Sequence, residues 1–202
     1  MNPLVIVIGG ATGTGKSTVA TEAAHRLGIT RLTSTDTIRQ TMRAFFSREF
    51  MPSVHYSSFE AGAAVPDADD PLTAGFIEQS RNVLVGVRAS IDRALEERWS
   101  IILEGVHLVP GMLPLEAEEA VFCECVLSID DETAHAQHFL SRSGDSERPL
   151  ANYLDHFAEI RRLQRFVVGR AEREGVPVLE NTDAEATTDA LLELVQAAGA
   201  LR

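Results

Sequence analysis

Gly10-Ala11-Thr12-Gly13-Thr14-Gly15-Lys16-Ser17 satisfies every constrained position of the pattern G-x-x-x-x-G-K-[ST]. In front of it, Leu4-Val5-Ile6-Val7-Ile8 is a short apolar run rich in β-branched residues, the mark of a strand buried on both faces of a parallel sheet. Behind it, Ser17 to Leu27 reads as a helix, closed by Gly28 where a left-handed cap is favoured. Strand, glycine-rich turn and helix in that order make a phosphate-binding loop, the P-loop. Its glycines let the backbone curl until successive N–H groups face one anion, and the helix N-terminus adds a positive end. Lys16 is placed to reach the β- and γ-phosphates of ATP, and the Ser17 hydroxyl to hold Mg²⁺. Gly10, Thr12, Gly13, Thr14, Gly15 and Thr18 complete the expected nucleotide site.

Outward from this loop, strands and helices alternate. Ile29–Thr33 is a second strand, and Asp36 opens a helix that runs to about Ser47 with Ile38, Met42 and Phe45/Phe46 at helical spacing. Residues 48–69 show no period and read as a long loop on the acceptor side. Asp70-Pro71 caps a helix that continues to about Arg98. Ser100–Glu104 and Val121–Ile129 are strands, and Asp130 caps a helix to about Ser141. A turn-rich loop over 142–151 leads to one long helix from Asn152 to Glu174, then a strand over Val176–Leu179 and a last amphipathic helix. The expected fold is α/β, the three-layer P-loop kinase fold: a five-stranded parallel sheet with a helical lid region. It forms a single domain over 1–202, with 141–174 as lid and arm.

Composition narrows the function. The chain has 202 residues, 45% of them hydrophobic and 24% charged, with a net charge of −12. So acidic a chain excludes a general nucleic-acid binder, which needs many cations on phosphates. No apolar stretch reaches the length of a membrane span, and none makes a signal-peptide core. Cys123 and Cys125 sit two apart in a strand without a metal-binding pattern, as buried thiols in a reducing cytoplasm would. Cytoplasmic location and a monomer or homodimer are the expectations. Charge is uneven: +3 over 1–59, −12 over 60–140, +2 over 141–173 and −5 beyond. Two basic segments in an acidic chain suit a small anionic ligand. Of the 18 basic residues, only Lys16 is lysine.

Candidate chemistry lies at the strand ends. Glu104 ends an apolar strand and can position Mg²⁺, or serve as a cap. Asp36, after the second strand, is either a helix cap or the group that orients an acceptor hydroxyl and takes its proton. Arg39 and Arg43, spaced i, i+4, share a helix face and together can grip a phosphate or carboxylate. Arg142 and Arg148 flank the 142–151 loop, where a lid would close arginines on the γ-phosphate, and Arg161 and Arg165 follow on one helix face. His55 and His107 are placed to meet an acceptor, although each also suits a structural role. His135 and His138 share a helix face but are too few for a metal centre.

Three segments also carry a resemblance: Gly9 to Thr18, Leu32-Thr33-Ser34-Thr35-Asp36-Thr37-Ile38-Arg39-Gln40, and Leu103-Glu104-Gly105-Val106-His107-Leu108-Val109-Pro110-Gly111. Together with Tyr153 through Ile160-Arg161 and Gln164, they resemble the 2-phosphoglycerate kinase family over residues 3–183. The resemblance implies ATP, Mg²⁺ and phosphoryl transfer to the hydroxyl of 2-phosphoglycerate, giving 2,3-bisphosphoglycerate. Archaeal members carry an extra N-terminal region, so regulation through it is expected to be absent here. Glu-Gly-Val-His is also similar to uridine kinase and phosphoribulokinase segments, which keeps a nucleoside, a sugar or another small metabolite open as acceptor. A regulatory ATPase switch is the alternative of a different class. Its G-protein form would need an Asn-Lys-x-Asp motif, and no lysine follows Lys16.

Overall fold

A computed structural model describes residues 2–115, 119–142 and 150–199. Five parallel strands form one sheet in the order β2-β3-β1-β4-β5: β1 Leu4–Gly9, β2 Leu32–Ser34, β3 Ile101–Glu104, β4 Val121–Ser128 and β5 Val178–Glu180. β1 lies at the centre and every residue in it is buried, which is why its sequence is apolar without alternation.

Alternate residues of β1 face two different layers. Leu4, Ile6 and Ile8 pack with Cys123, Cys125 and Leu127 against α1 (Lys16–Leu27) and α7 (Ala184–Ala197) through Val19, Ala23, Leu191 and Val195. Val5 and Val7 meet Val83, Val87 and Ile91 of α3 (Pro71–Glu96), with α2 (Thr35–Phe45) packed alongside through Ile38 and Met42. Val126 on that same face meets Ile160, Leu163 and Val167 of α6 (Phe157–Glu174). Helices therefore cover both faces, as expected for the three-layer fold. No described helix is long and apolar enough to cross a membrane.

Several boundaries differ from the sequence reading. The 48–69 segment is a packed element carrying two 3-10 helices, Pro52–His55 and Ser58–Ala64, that bury Val54, Phe59 and Ala61. Gly75 of α3 lets this segment lie close, since a Cβ there would stand 2.2 Å from the Ala61 carbonyl oxygen. β2 starts at Leu32 rather than Ile29, and β5 at Val178 rather than Val176. The helix after β4, α4 (Glu132–Arg142), is capped by Asp131 rather than Asp130: Asp131 Oδ1 accepts from the Ala134 N–H at 2.7 Å. The single long helix expected over Asn152–Glu174 is two, α5 (Leu150–Asp155) and α6, broken at His156.

Register lines up the chemistry. Ile8 of β1 pairs with Glu104 of β3, which pairs with Ser34 of β2. The carboxyl ends of three neighbouring strands thus open on one edge of the sheet, where ligands of open α/β folds collect.

Candidate active site

The loop from Gly10 to Gly15 joins β1 to α1. Its glycines Gly10, Gly13 and Gly15 have φ of 139°, 87° and 81°, which L-residues with side chains avoid. Space is as strict as torsion: a Cβ on Gly10 would lie 2.4 Å from the Leu127 carbonyl oxygen, and one on Gly13 2.4 Å from the Phe139 ring. Lys16 is buried, and its Nζ donates to the Ala11 carbonyl at 2.6 Å and to Thr14 Oγ1 at 3.4 Å. Thr12 Oγ1 lies 3.4 Å from Ser58 Oγ, which ties the loop to the second 3-10 helix. Thr18, in the first turn of α1, shares a cavity of about 280 Å³ with Gly13, Gly15, His138, Asn181 and Asp183.

Ser17 Oγ donates to Glu104 Oε1 at 3.2 Å, and Glu104 is buried at the end of β3. A hydroxyl and a carboxylate form a hard-oxygen set that suits Mg²⁺. No group of three or more His, Cys, Asp or Glu side chains that could hold a metal ion occurs among the described residues, so nucleotide oxygens and water would supply the remaining ligands.

At the carboxyl end of β2, Ser34 Oγ caps α2 by accepting from the Asp36 N–H at 3.2 Å. Asp36 Oδ1 accepts from Arg39 Nε at 2.9 Å and Nη2 at 2.8 Å. Arg39 Nη1 donates to the Val54 and Tyr56 carbonyls, both at 3.0 Å. Arg39 is therefore buried, with four of its five N–H donors engaged. The joint grip expected of Arg39 and Arg43 does not form, because Arg43 is exposed and donates to Gln40 Oε1 at 3.0 Å. Arg39 instead fixes Asp36 and the 52–56 backbone.

His107 is buried. Gln79 Nε2 donates to the Ser53 and Tyr56 carbonyls, so its Oε1 accepts from His107 Nε2, 3.0 Å away. His107 Nδ1 then accepts from Thr35 Oγ1 at 2.8 Å. Burial pushes the imidazole down to about 3, so it stays neutral. Gly105 permits this packing, since a Cβ there would sit 1.8 Å from Thr35 Oγ1. His55 lies away from this network, with Nε2 at 2.9 Å from the Phe46 carbonyl oxygen.

Arg161, on α6, turns inward. It is buried at the end of β4, donating to the Ile129 and Asp130 carbonyls, with Glu132 at 3.5 Å. Arg142 is the last residue of α4, and Arg148 lies outside the described residues. Sequence reasoning weighed His135 and His138 only as metal ligands and missed Asn181, yet all three contact the loop's carbonyls, at 2.8, 3.2 and 2.9 Å. The shared helix face of the two histidines was the available signal.

No family model matches the chain. Known proteins do, and they bear out the resemblance carried by the motifs. It is 42% identical over 199 residues to a 2-phosphoglycerate kinase of Methanothermobacter thermautotrophicus, covering 95% of this chain and 65% of that protein. It is 40% identical over 191 residues to one of Thermococcus kodakarensis, covering 94% and 65%. The chain thus spans just under two thirds of the length of these curated relatives. Among solved structures, shikimate kinase from Acinetobacter baumannii, in complex with shikimate, aligns at TM-score 0.55 and 14% identity, covering 100% of this chain and 97% of that one. A gluconokinase from Sinorhizobium meliloti aligns at 0.50 and 17%, covering 98% and 95%. The fold is that of the P-loop kinases, and the sequence relatives are 2-phosphoglycerate kinases.

Proposed function

We propose that this chain is a Mg²⁺-ATP-dependent kinase that transfers the γ-phosphoryl group to the free hydroxyl of 2-phosphoglycerate, giving 2,3-bisphosphoglycerate and ADP in the cytoplasm. One observation carries the reaction type: the strand register sets the P-loop, the Ser17–Glu104 pair and the Arg39-held Asp36 side by side on one edge of the sheet. The named relatives support the acceptor.

Ser17 and Glu104 would hold Mg²⁺, which when bound neutralises charge on the β- and γ-phosphate oxygens. Lys16 stabilises the transferring group from within the loop. Asp36 orients the acceptor hydroxyl and takes its proton as the new P–O bond forms and the bond to ADP breaks. Arg39 holds Asp36 in the required rotamer. Arg142 and Arg148 are assigned to the lid that closes on the γ-phosphate, and Arg43 to the anionic groups of the acceptor. Positioning and fixed charge supply most of the rate.

The test is steady-state ADP production with Mg²⁺-ATP and, in turn, 2-phosphoglycerate, 3-phosphoglycerate, glycerate and several nucleosides. The highest kcat/KM is expected for 2-phosphoglycerate. No acceleration by any phosphoglycerate would overturn the acceptor while leaving the fold untouched.

A further inference from the structure

The P-loop is gripped from outside on three successive carbonyls. His135 Nε2 donates to the Thr12 carbonyl at 2.8 Å, His138 Nδ1 to that of Gly13 at 3.2 Å, and Asn181 Nδ2 to that of Thr14 at 2.9 Å. Two of these side chains come from α4 and the third from the connection between β5 and α7. A trans peptide points its C=O and the following N–H in opposite directions. Holding these three oxygens outward therefore turns the N–H groups of Gly13, Thr14 and Gly15 inward, to the side where the nucleotide phosphates would bind. The carbonyl before them, on Ala11, is taken from within the loop by Lys16 and Thr14.

The grip is itself anchored. Arg161 Nη1 approaches His135 Nδ1 at 3.3 Å, so that nitrogen accepts and the proton sits on Nε2, where Thr12 needs it. Arg161 is fixed in turn by the Ile129 and Asp130 carbonyls. Contact is close enough to require the loop glycines: a Cβ on Gly13 would lie 3.0 Å from His135 Nε2, and one on Gly15 2.2 Å from Asn181 Nδ2. α4 continues to Arg142, four residues beyond His138.

We propose that His135, His138 and Asn181 are positioning residues that preset the phosphate-facing amides of the P-loop and tie the loop to α4. This rests on the nucleotide half of the proposed function and is independent of the acceptor.

Asn181→Asp keeps the shape but sets an acceptor against the Thr14 carbonyl. His138→Leu removes the donor to Gly13, and His138→Asn returns an N–H near the Nδ1 position. Calorimetry with Mg²⁺-ADP and with Mg²⁺-pyrophosphate reads the phosphate site without any acceptor. Asn181→Asp and His138→Leu should each weaken both ligands by about tenfold, the scale of one hydrogen bond. His138→Asn should recover most of that loss, and KM for the acceptor should be unchanged. Equal affinity in the folded variants would overturn the proposal, as would equal damage from His138→Leu and His138→Asn. So would a loss confined to Mg²⁺-ADP, which would mean direct contact with the nucleoside. Failure of the parent protein to bind either ligand would overturn the nucleotide reading as well.

Discussion

Lys16 is the single lysine among 18 basic residues, and its surroundings explain why arginine did not replace it there. The buried ammonium donates to the Ala11 carbonyl at 2.6 Å and to Thr14 Oγ1 at 3.4 Å within its own loop. A planar guanidinium presents its donors in a fixed fork and does not match the compact ammonium that these two acceptors hold. Lys16→Arg keeps the charge, yet kcat should fall by about 100-fold or more, the scale of a lost transition-state contact; steady-state ADP release at saturating substrates reads this. Asp36 is the residue proposed to act on the acceptor hydroxyl. Asp36→Asn should lower kcat by about 10² to 10⁴, the range for removing a general base, while Mg²⁺-ADP affinity stays within about twofold. Near-parental turnover would remove Asp36 from the reaction. Arg39 separates residue type from role. Its spacing to Arg43 reads as an anion grip, but the carbonyls of Val54 and Tyr56 engage it first. That capture depends on how a distant segment folds back, so neither spacing nor composition could show it.

Among the elements, periodic ones were legible and aperiodic ones were not. β1 is apolar throughout because both of its faces are covered, and α3 keeps its 3.6-residue stripe from Phe76 to Ile91. The 52–64 segment has no such stripe, because 3-10 turns repeat every three residues and last only a turn or two. What holds it is side-chain contact from elsewhere: Gln79 on the Ser53 and Tyr56 carbonyls and Asn82 on Ser53 Oγ at 3.0 Å. His156, where α5 gives way to α6, carries no helix-breaking chemistry in its sequence context. The Glu104-Gly105-Val106-His107 turn shows how tightly an element can constrain one residue. Gly105 has φ 151° and no room for a Cβ beside Thr35. Gly105→Ala should cost about 2–4 kcal/mol, combining backbone strain with displacement of the Thr35–His107–Gln79 chain. Urea unfolding monitored through Trp99 fluorescence measures this; a cost under about 0.5 kcal/mol, typical of a neutral surface site, would mean the turn yields freely.

Across the whole molecule, buried ionisable groups set how stability follows pH. His107 and His135 are almost fully buried, and burial pushes them down to about 3 and about 4, with the nearby Arg39 and Arg161 guanidiniums acting in the same direction. In the unfolded chain both return to about 6.5. The unfolded state then binds protons that the folded state refuses. Stability from these two groups is therefore complete above about pH 6.5 and lost as the pH falls toward their folded values. From pH 6.5 to 5 the loss is about 2 kcal/mol for each histidine. Glu124 works against them. Burial, and then the neighbouring Glu174, push its carboxyl up to about 7, so it stabilises the fold at acid pH and withdraws that support as the pH rises from about 4.5 to 7. The parent protein should consequently show a shallow decline between pH 6.5 and 5, with the histidine loss partly offset by Glu124. Glu124→Gln removes the offset: the variant should match or exceed the parent above pH 7 and decline more steeply below 6.5. Urea midpoints across pH 5.0–7.5 decide this, and parallel profiles for parent and variant would show that Glu124 does not titrate in this range.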